Sequence, residues 1–550
     1  MKNRKNICIF HLLVLTFLAG LFFFYALGSY SLKEPDEGRY AEIPREMVEQ
    51  GDYIVPHLNY VRYFEKPPLL YWGTAFSYKL FGANEWSFRL PNAMMAMLCV
   101  IILYLFAQIW FDSRTAFLSS LILMSSFGFF AMAHIVTIDM LFAVLLCAAL
   151  LCFYEYYRRQ KRLFLYLFYL SLALATLAKG PVSLILMGAT ILLFLGTERK
   201  LSFIKQLLNV RALLLFALVT IPWFLIISLK EKEFFHFFFI DQHLLRFLTT
   251  KHKRSGPLYY FIPVILGGMF PWCIFLPRAI MDLWRTRTLR LFFIWSMVVF
   301  VFFSISGSKL PPYILPVFPA LSLILGYFFS RPGRWEVSPL LEQRIFYGAL
   351  FLIAIGTFLH TSGLLDASIS RMSQIGDVAA RFKALSLGLF IASALLALIC
   401  LLKRFRTIPL FVLVLLFSFS TEFLILLNVS RIDSLNTTKG LSRIINEHSS
   451  VNDYVVSYGS FNETLPFYTG RRVYLAAHTG ELEMGAQYPE AKPFFLTDED
   501  FQRLFQSDKR VFAVLKTKKL DTSMQSFANN INIVHCDEGR CLITNIKAYP

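Results

Sequence analysis

Long apolar runs, each close to the length of one bilayer-crossing helix, recur through the first 430 positions and are separated by short polar stretches. An apolar helix needs about 20 residues to cross the hydrocarbon layer. On that measure the chain reads as thirteen spans, at 7–28, 91–110, 115–131, 136–155, 163–178, 181–196, 210–229, 259–279, 289–306, 312–329, 345–360, 382–402 and 407–427. The first has too long an apolar core for a cleaved leader, and Gly28-Ser29-Tyr30 makes a poor cleavage site. It is expected to remain as an anchor.

Beyond position 430 the apolar runs shorten and alternate with polar residues. Strands are expected at 453–458, 473–476, 510–515, 531–535 and 541–546, with a helix over 497–505 begun by a Thr-Asp-Glu-Asp cap. The pattern predicts a transmembrane domain over 1–429, with 29–90 as its first large loop, and a soluble α/β domain over 430–550. The latter is long enough to bury its own core. Inside the first loop, Leu69, Trp72, Gly73, Phe76 and Leu80 recur at helical spacing over a stretch too short to span. This predicts an interfacial helix anchored at headgroup depth by Tyr71, Trp72 and Tyr78. A second short helix is expected from Ala41 to Gln50, with Pro44 near its first turn.

Composition agrees: 56% hydrophobic residues, 17% aromatic, 16% charged and a mean hydropathy of +0.55 describe a polytopic α-helical membrane protein. A net charge of +18 would suggest nucleic acid for a soluble chain. Here the cations alternate by loop: Lys2, Arg4 and Lys5; Arg158, Arg159, Lys161 and Arg162; Arg199, Lys200, Lys205 and Arg211; Arg278, Arg285, Arg287 and Arg290; Arg331, Arg334 and Arg344; Lys403, Arg404 and Arg406. Cytoplasmic loops carry such excess. The N-terminus is therefore expected inside and the C-terminus outside, with membrane lipids and no nucleic acid as partners, in a monomer.

Under that count the suspicious polar groups share the outer face: residues 29–90, Thr137 with Asp139, Lys179, the loop 230–258, and Ser308-Lys309-Leu310-Pro311-Pro312-Tyr313. Ionisable groups at the membrane edge are costly and mark function. In Glu34-Pro35-Asp36-Glu37-Gly38-Arg39-Tyr40 the proline stops the entering helix, Asp36 and Glu37 offer anionic oxygens, and Arg39, with Lys66 of Arg62-Tyr63-Phe64-Glu65-Lys66-Pro67-Pro68, supplies cations able to hold a phosphate. Each has a plainer reading: Asp36 and Asp139 as helix caps, Arg39 paired with Glu42, Lys66 snorkelling. Tyr40, Tyr63, Glu65, Lys309 and Tyr313 are further pocket candidates, while His243, Arg246, His252 and Arg254 stand where lipid phosphates or ordinary headgroups would meet them.

Six cysteines fall inside spans as packing groups. Cys536 and Cys541 flank a turn between two strands in an oxidising compartment, where a hairpin disulfide fits. No metal-binding, dinucleotide or P-loop motif is present. Glu65 alone is too thin a ligand set to predict a divalent cation. No metal and no required cofactor are expected, and a donor carried by a lipid, arriving within the bilayer, suits a chain without a nucleotide-binding domain.

Glu34 to Ile43, Gly51-Asp52-Tyr53-Ile54-Val55-Pro56-His57, Arg62 to Pro67, Leu80-Phe81-Gly82-Ala83, Phe270-Pro271-Trp272 and Gly307 to Pro311 resemble the integral-membrane aminoarabinose transferases of lipid A, which are GT-C glycosyltransferases. Thr479-Gly480-Glu481-Leu482 and Tyr488-Pro489-Glu490-Ala491-Lys492 extend the likeness into the last domain. The resemblance implies a GT-C fold of thirteen membrane helices and a periplasmic domain, in the bacterial inner membrane. It further implies an undecaprenyl-phosphate-linked aminoarabinose donor and a lipid A phosphate acceptor, with Asp139 as a second acidic position facing the sugar's ammonium. Two other classes remain open at this point. One is a GT-C transferase moving mannose, galactosamine or galacturonic acid. The other is a lipid flippase, which predicts inverted repeats that the sequence does not display.

Overall fold

A computed structural model describes residues 2–246, 256–281, 286–331, 340–362, 383–401, 410–433, 436–520, 531–537 and 539–546. His252, Arg254, Arg285, Arg334, Lys403, Arg404 and Arg406 lie outside the described residues. The chain divides into two compact units, one of residues 1–27 and 92–431, the other of 28–91 and 432–550. The segment 28–91 therefore folds with the C-terminal segment.

In the first unit, each expected span has an apolar helical counterpart. Among the described residues nine helices are long and apolar enough to cross a membrane, two bent helix pairs are so only when taken together, and Val182–Thr197 and Lys383–Leu396 are shorter apolar helices. The spans expected at 115–131 and 259–279 are bent, by 65° and 109°. The first breaks at Ser125 and Ser126, whose hydroxyls bond back to the carbonyls of Leu121 and Ile122, a competition that bends helices. The second breaks before Pro271, which has no N–H to continue the ladder. Ile138–Arg159 and Pro311–Ser330 are the most enclosed spans, each 89% buried. Indole N–H groups tie this core: Trp272 donates to Ser125 Oγ at 3.1 Å and Trp295 to the Pro316 carbonyl at 2.8 Å.

The second unit opens with α1 (Asp36–Gln50), a short hairpin of β1 (His57–Leu58) and β2 (Val61–Arg62), and α2 (Leu69–Phe81). α3 (Lys439–His448), β3 (Tyr454–Tyr458), α4 (Thr464–Thr469), β4 (Tyr474–Ala476), β5 (Phe495–Leu496), α5 (Asp498–Phe505), β6 (Val511–Lys516), β7 (Asn532–Asp537) and β8 (Arg540–Thr544) complete it. The sheet runs β5-β4-β3-β6-β8-β7, parallel on the β5 side of β6 and antiparallel beyond it. Two apolar layers cover it, one centred on Phe501, Phe505 and Val456, the other on Leu441, Ile445 and Phe512. Thr497 and Asp500 close a full capping box at the head of α5. Cys536 and Cys541, register partners on β7 and β8, are joined by a disulfide. The two-residue β5 was not expected.

Two local expectations are corrected. α1 begins five residues earlier than expected, at Asp36, so Pro44 lies in its third turn rather than near the first. In α2, Tyr71 is fully buried with its ring tilted against that of Tyr40, centroids 6.0 Å apart, and Trp72 donates to the Tyr53 carbonyl. Tyr71 is thus a core residue and no headgroup anchor; the exposed apolar groups of α2 are Phe76, Leu80 and Phe81.

Candidate active site

α1 carries eleven consecutive buried residues, Glu37 to Met47, although charged side chains crowd them. Burying charge is tolerable only when each is paired. Glu37 takes a two-pronged ion pair from Arg89, with both N···O distances 2.8 Å and neither side chain more than 1% exposed. Arg89 also donates to the carbonyls of Tyr30 and Ser31 and lies 3.7 Å over the Tyr30 ring. Glu42 grips Arg45 in the same way, at 2.7 Å twice. Glu37, expected as an available anion, is a structural one.

Asp36 is left differently: its side chain is 45% exposed, and Arg39 Nη2 approaches its carboxylate at 3.5 Å. The N-cap position belongs to Pro35, so Asp36 is not the cap. In the first turn of α1 its charge is favoured by the helix dipole. Arg39, expected to hold a phosphate, has its fork occupied by Glu481: Nε donates at 2.9 Å and Nη2 at 2.8 Å. It does not pair with Glu42. The guanidinium also lies within 6.0 Å of the Tyr40 and Tyr63 rings. Tyr63 is 2% exposed, and its hydroxyl has no hydrogen-bond partner among the described residues. Lys66 bonds the Glu65 carbonyl at 3.1 Å, with the Glu65 carboxylate 4.0 Å away.

Burial pushes the Glu481 carboxyl up to about 7, with Arg39 acting against it and Glu65 and Asp36 adding to it. Burial raises Glu463 well above the usual carboxylate range, reinforced by Glu34 and Glu481. Glu34 itself is paired with Arg540 at 3.1 Å. For Arg39, burial pulls down but the anionic neighbours, Glu481 foremost, pull it up further, so the guanidinium stays charged. Of the acidic groups around Arg39, Asp36 alone faces water to this extent. A ligand's positive charge would meet it first.

In the first unit, Asp139 sits in the first turn of Ile138–Arg159 and forms an ion pair with Lys179, the last residue of Arg162–Lys179. Asp139 is no cap, since that position is Thr137. The Lys179 ammonium lies 4.3 Å from the centre of the Tyr313 ring, a cation–π contact. Arg246 Nη2 stands 3.5 Å from the Tyr313 hydroxyl, and His243 Nε2 is 3.3 Å from the Lys179 carbonyl. Gly180 permits that approach: it has φ +83°, and any Cβ there would stand 2.6 Å from His243 Nε2. Lys309 donates to the Ser306 carbonyl at 2.7 Å and is 8% exposed.

Asp139, Tyr313, His243 and Arg246 are thus brought together around Lys179, and Asp36, Arg39, Tyr40 and Tyr63 around Glu481. Sequence reasoning placed Lys179 among the outer-face polar groups without assigning it a partner, and left Glu481 as part of a resemblance only. No cluster of metal-ligating side chains occurs among the described residues.

A family profile described as dolichyl-phosphate-mannose-protein mannosyltransferase matches residues 7–238, and one described as the aminoarabinose transferase C-terminal domain matches 441–545. The undecaprenyl phosphate-α-4-amino-4-deoxy-L-arabinose arabinosyl transferase 2 of Proteus mirabilis is 35% identical over 64% of this chain and 66% of its own length. That of Pectobacterium atrosepticum is 30% identical over 70% of this chain and 69% of its own. The crystal structure of ArnT from Cupriavidus metallidurans bound to undecaprenyl phosphate superposes with a TM-score of 0.83 at 26% identity, covering 98% of both chains. The two profiles fall on the membrane helices and on the sheet-bearing segment that supplies Glu481, and the fold agrees over nearly the whole length. This chain belongs to the undecaprenyl phosphate-aminoarabinose arabinosyl transferase family.

Proposed function

We propose that this chain transfers 4-amino-4-deoxy-L-arabinose from undecaprenyl phosphate to a phosphate of lipid A, as a monomer at the periplasmic face of the bacterial inner membrane. The N-terminus lies in the cytoplasm and the second unit in the periplasm, as the alternation of basic loops supports. The added amine lowers the negative charge of lipid A and so weakens binding of polymyxin and other cationic antimicrobial peptides.

The observation that carries the reading is the half-exposed Asp36 at the head of a helix whose Glu37, Glu42 and Arg45 are buried in ion pairs, in a chain of this family. In the transfer, the bond from the anomeric carbon to the polyprenyl phosphate breaks while a lipid A phosphate oxygen bonds to that carbon. Negative charge grows on the leaving phosphate and positive charge on the sugar ring. Lys66 is the cation suited to the leaving phosphate, since fixed positive groups where charge develops lower the barrier. Asp36 orients the acceptor or steadies the ring's positive charge. The acceptor is already an anion, so no strong general base is required. Arg39, its fork held by Glu481, positions Asp36. Asp139, already neutralised by Lys179, serves chiefly to fix that lysine.

Lipid A mass spectrometry tests this in cells that make the donor but lack their own transferase. Aminoarabinose-bearing lipid A should appear with the wild-type chain and vanish with Asp36→Ala. Unmodified lipid A despite donor supply would overturn the sugar or the acceptor.

A further inference from the structure

A cavity of about 590 Å³ opens in the second unit, lined by Asp433, Lys439, Arg443, Asn446, Tyr468 and Asp537 among others. It shares no residue with the Asp36 cluster. We propose that it is a saccharide-binding site that holds one hexosamine-sized sugar of the acceptor glycolipid's headgroup while transfer occurs elsewhere. The proposal rests on the acceptor reading above.

Size and chemistry both point there. Ligand sites of roughly 300–1,000 Å³ suit small molecules, and this one is walled by charged, amide and phenol groups with a single aromatic ring. Its charges are already matched: Lys439 Nζ stands 2.7 Å from Glu85, and Arg443 Nε donates to Glu447 at 2.8 Å. Asp433 accepts the Ser31 backbone N–H. Paired charges offer donors and acceptors side by side without a strong net field. That suits hydroxyl and amide groups, which both give and accept hydrogen bonds, better than a bare phosphate. The wall is also preorganised. Asn446 Nδ2 bonds the Tyr468 carbonyl at 2.9 Å, and the Tyr468 hydroxyl contacts Glu85 and receives the Leu32 N–H.

Position completes the case. Asp433 comes two residues after the last span, Leu410–Arg431. Ser31 and Lys33, which follow the first span, donate to the Asp433 carbonyl. Two segments that each follow an apolar span in the chain therefore meet at one edge of the cavity.

The test uses the full chain in nanodiscs. Arg443 is 81% exposed, so Arg443→Trp fills the mouth without entering the core, and Arg443→Ala opens it. The probe is a deacylated glucosamine disaccharide carrying its terminal phosphates. Saturation-transfer NMR should show its ring protons in contact with the wild type, with the signal lost in Arg443→Trp and weakened no more than about threefold in Arg443→Ala. The same disaccharide without phosphates should compete; inorganic phosphate and phosphatidylglycerol should not. In turnover, Arg443→Trp should raise the acceptor KM about tenfold and leave kcat and the donor KM unchanged. Ring contacts that persist in Arg443→Trp, displacement by phosphate or phosphatidylglycerol, or an unchanged acceptor KM would each overturn the site. The NMR arm reads without turnover, so a chain inactive toward lipid A would sink the function and leave this test standing.

Discussion

Glu481 loses its charge as pH falls through about 7, and Arg39 then keeps a neutral acid where it had a carboxylate. Transfer is expected to decline on the acid side of 7 in the wild type and to lose that limb in Glu481→Gln, whose activity is low at every pH; a pH–rate profile of both checks this. Stability moves the other way. The folded-state value lies above the usual carboxylate range, so between about 4.5 and 7 the folded protein holds a proton that the unfolded chain releases. The contribution of this group to stability therefore falls as pH rises across that window. Arg89 and Glu37 answer to burial alone. Arg89→Met leaves a carboxylate at 1% exposure without its guanidinium and should cost about 3–5 kcal/mol, much of it recovered when Glu37→Leu is added, as thermal unfolding will show. The motif at 34–40 was legible because its charges are dense and follow an apolar run. The partner of Arg39 was not: helical spacing points to Glu42, which the fold gives to Arg45, while Glu481 is 442 positions away.

At the level of elements, the spans were readable because twenty apolar residues have one economical solution in a bilayer. Their bends were not, since hydropathy carries no direction and two serines or one proline leave a window's average nearly unchanged. α1 was read short because Pro44 was expected near the first turn of a helix, whereas its neighbours are buried and it sits mid-helix. That packing is close: a Cβ at Gly38 would stand 2.7 Å from the Thr464 backbone nitrogen and 2.8 Å from the Glu463 carbonyl carbon. Gly38→Ala should force α1 from α4 at a cost of about 1–3 kcal/mol and raise protease sensitivity of the second unit. Breaking the Cys536–Cys541 disulfide, which closes only five residues of chain, should cost at most about 2 kcal/mol and leave transfer intact, measured with Cys536→Ser.

For the whole molecule, the alternation of basic loops makes a topological prediction. A single cysteine at Lys161 should react with an impermeant thiol reagent only after the inner membrane is opened, and one at Glu447 should react from the periplasm once the outer membrane is permeable. Labelling of Arg39→Cys or Lys66→Cys only from the cytoplasm would defeat the orientation. What the sequence left hidden at this scale is the company the first loop keeps: residues 28–91 fold with 432–550, and no local pattern announces a partner four hundred positions away.

That partnership has a consequence for biogenesis. Glu34 waits for Arg540, and Arg39 for Glu481. At about 5–20 residues per second the ribosome needs roughly 20–90 s to travel from Arg39 to its acid. Until the final segment has been made, Glu34 and Arg39 lack these two partners. A nascent or truncated chain, however well inserted, is thus an enzyme without its clamp, and competence arrives only once Glu481 and Arg540 have been made.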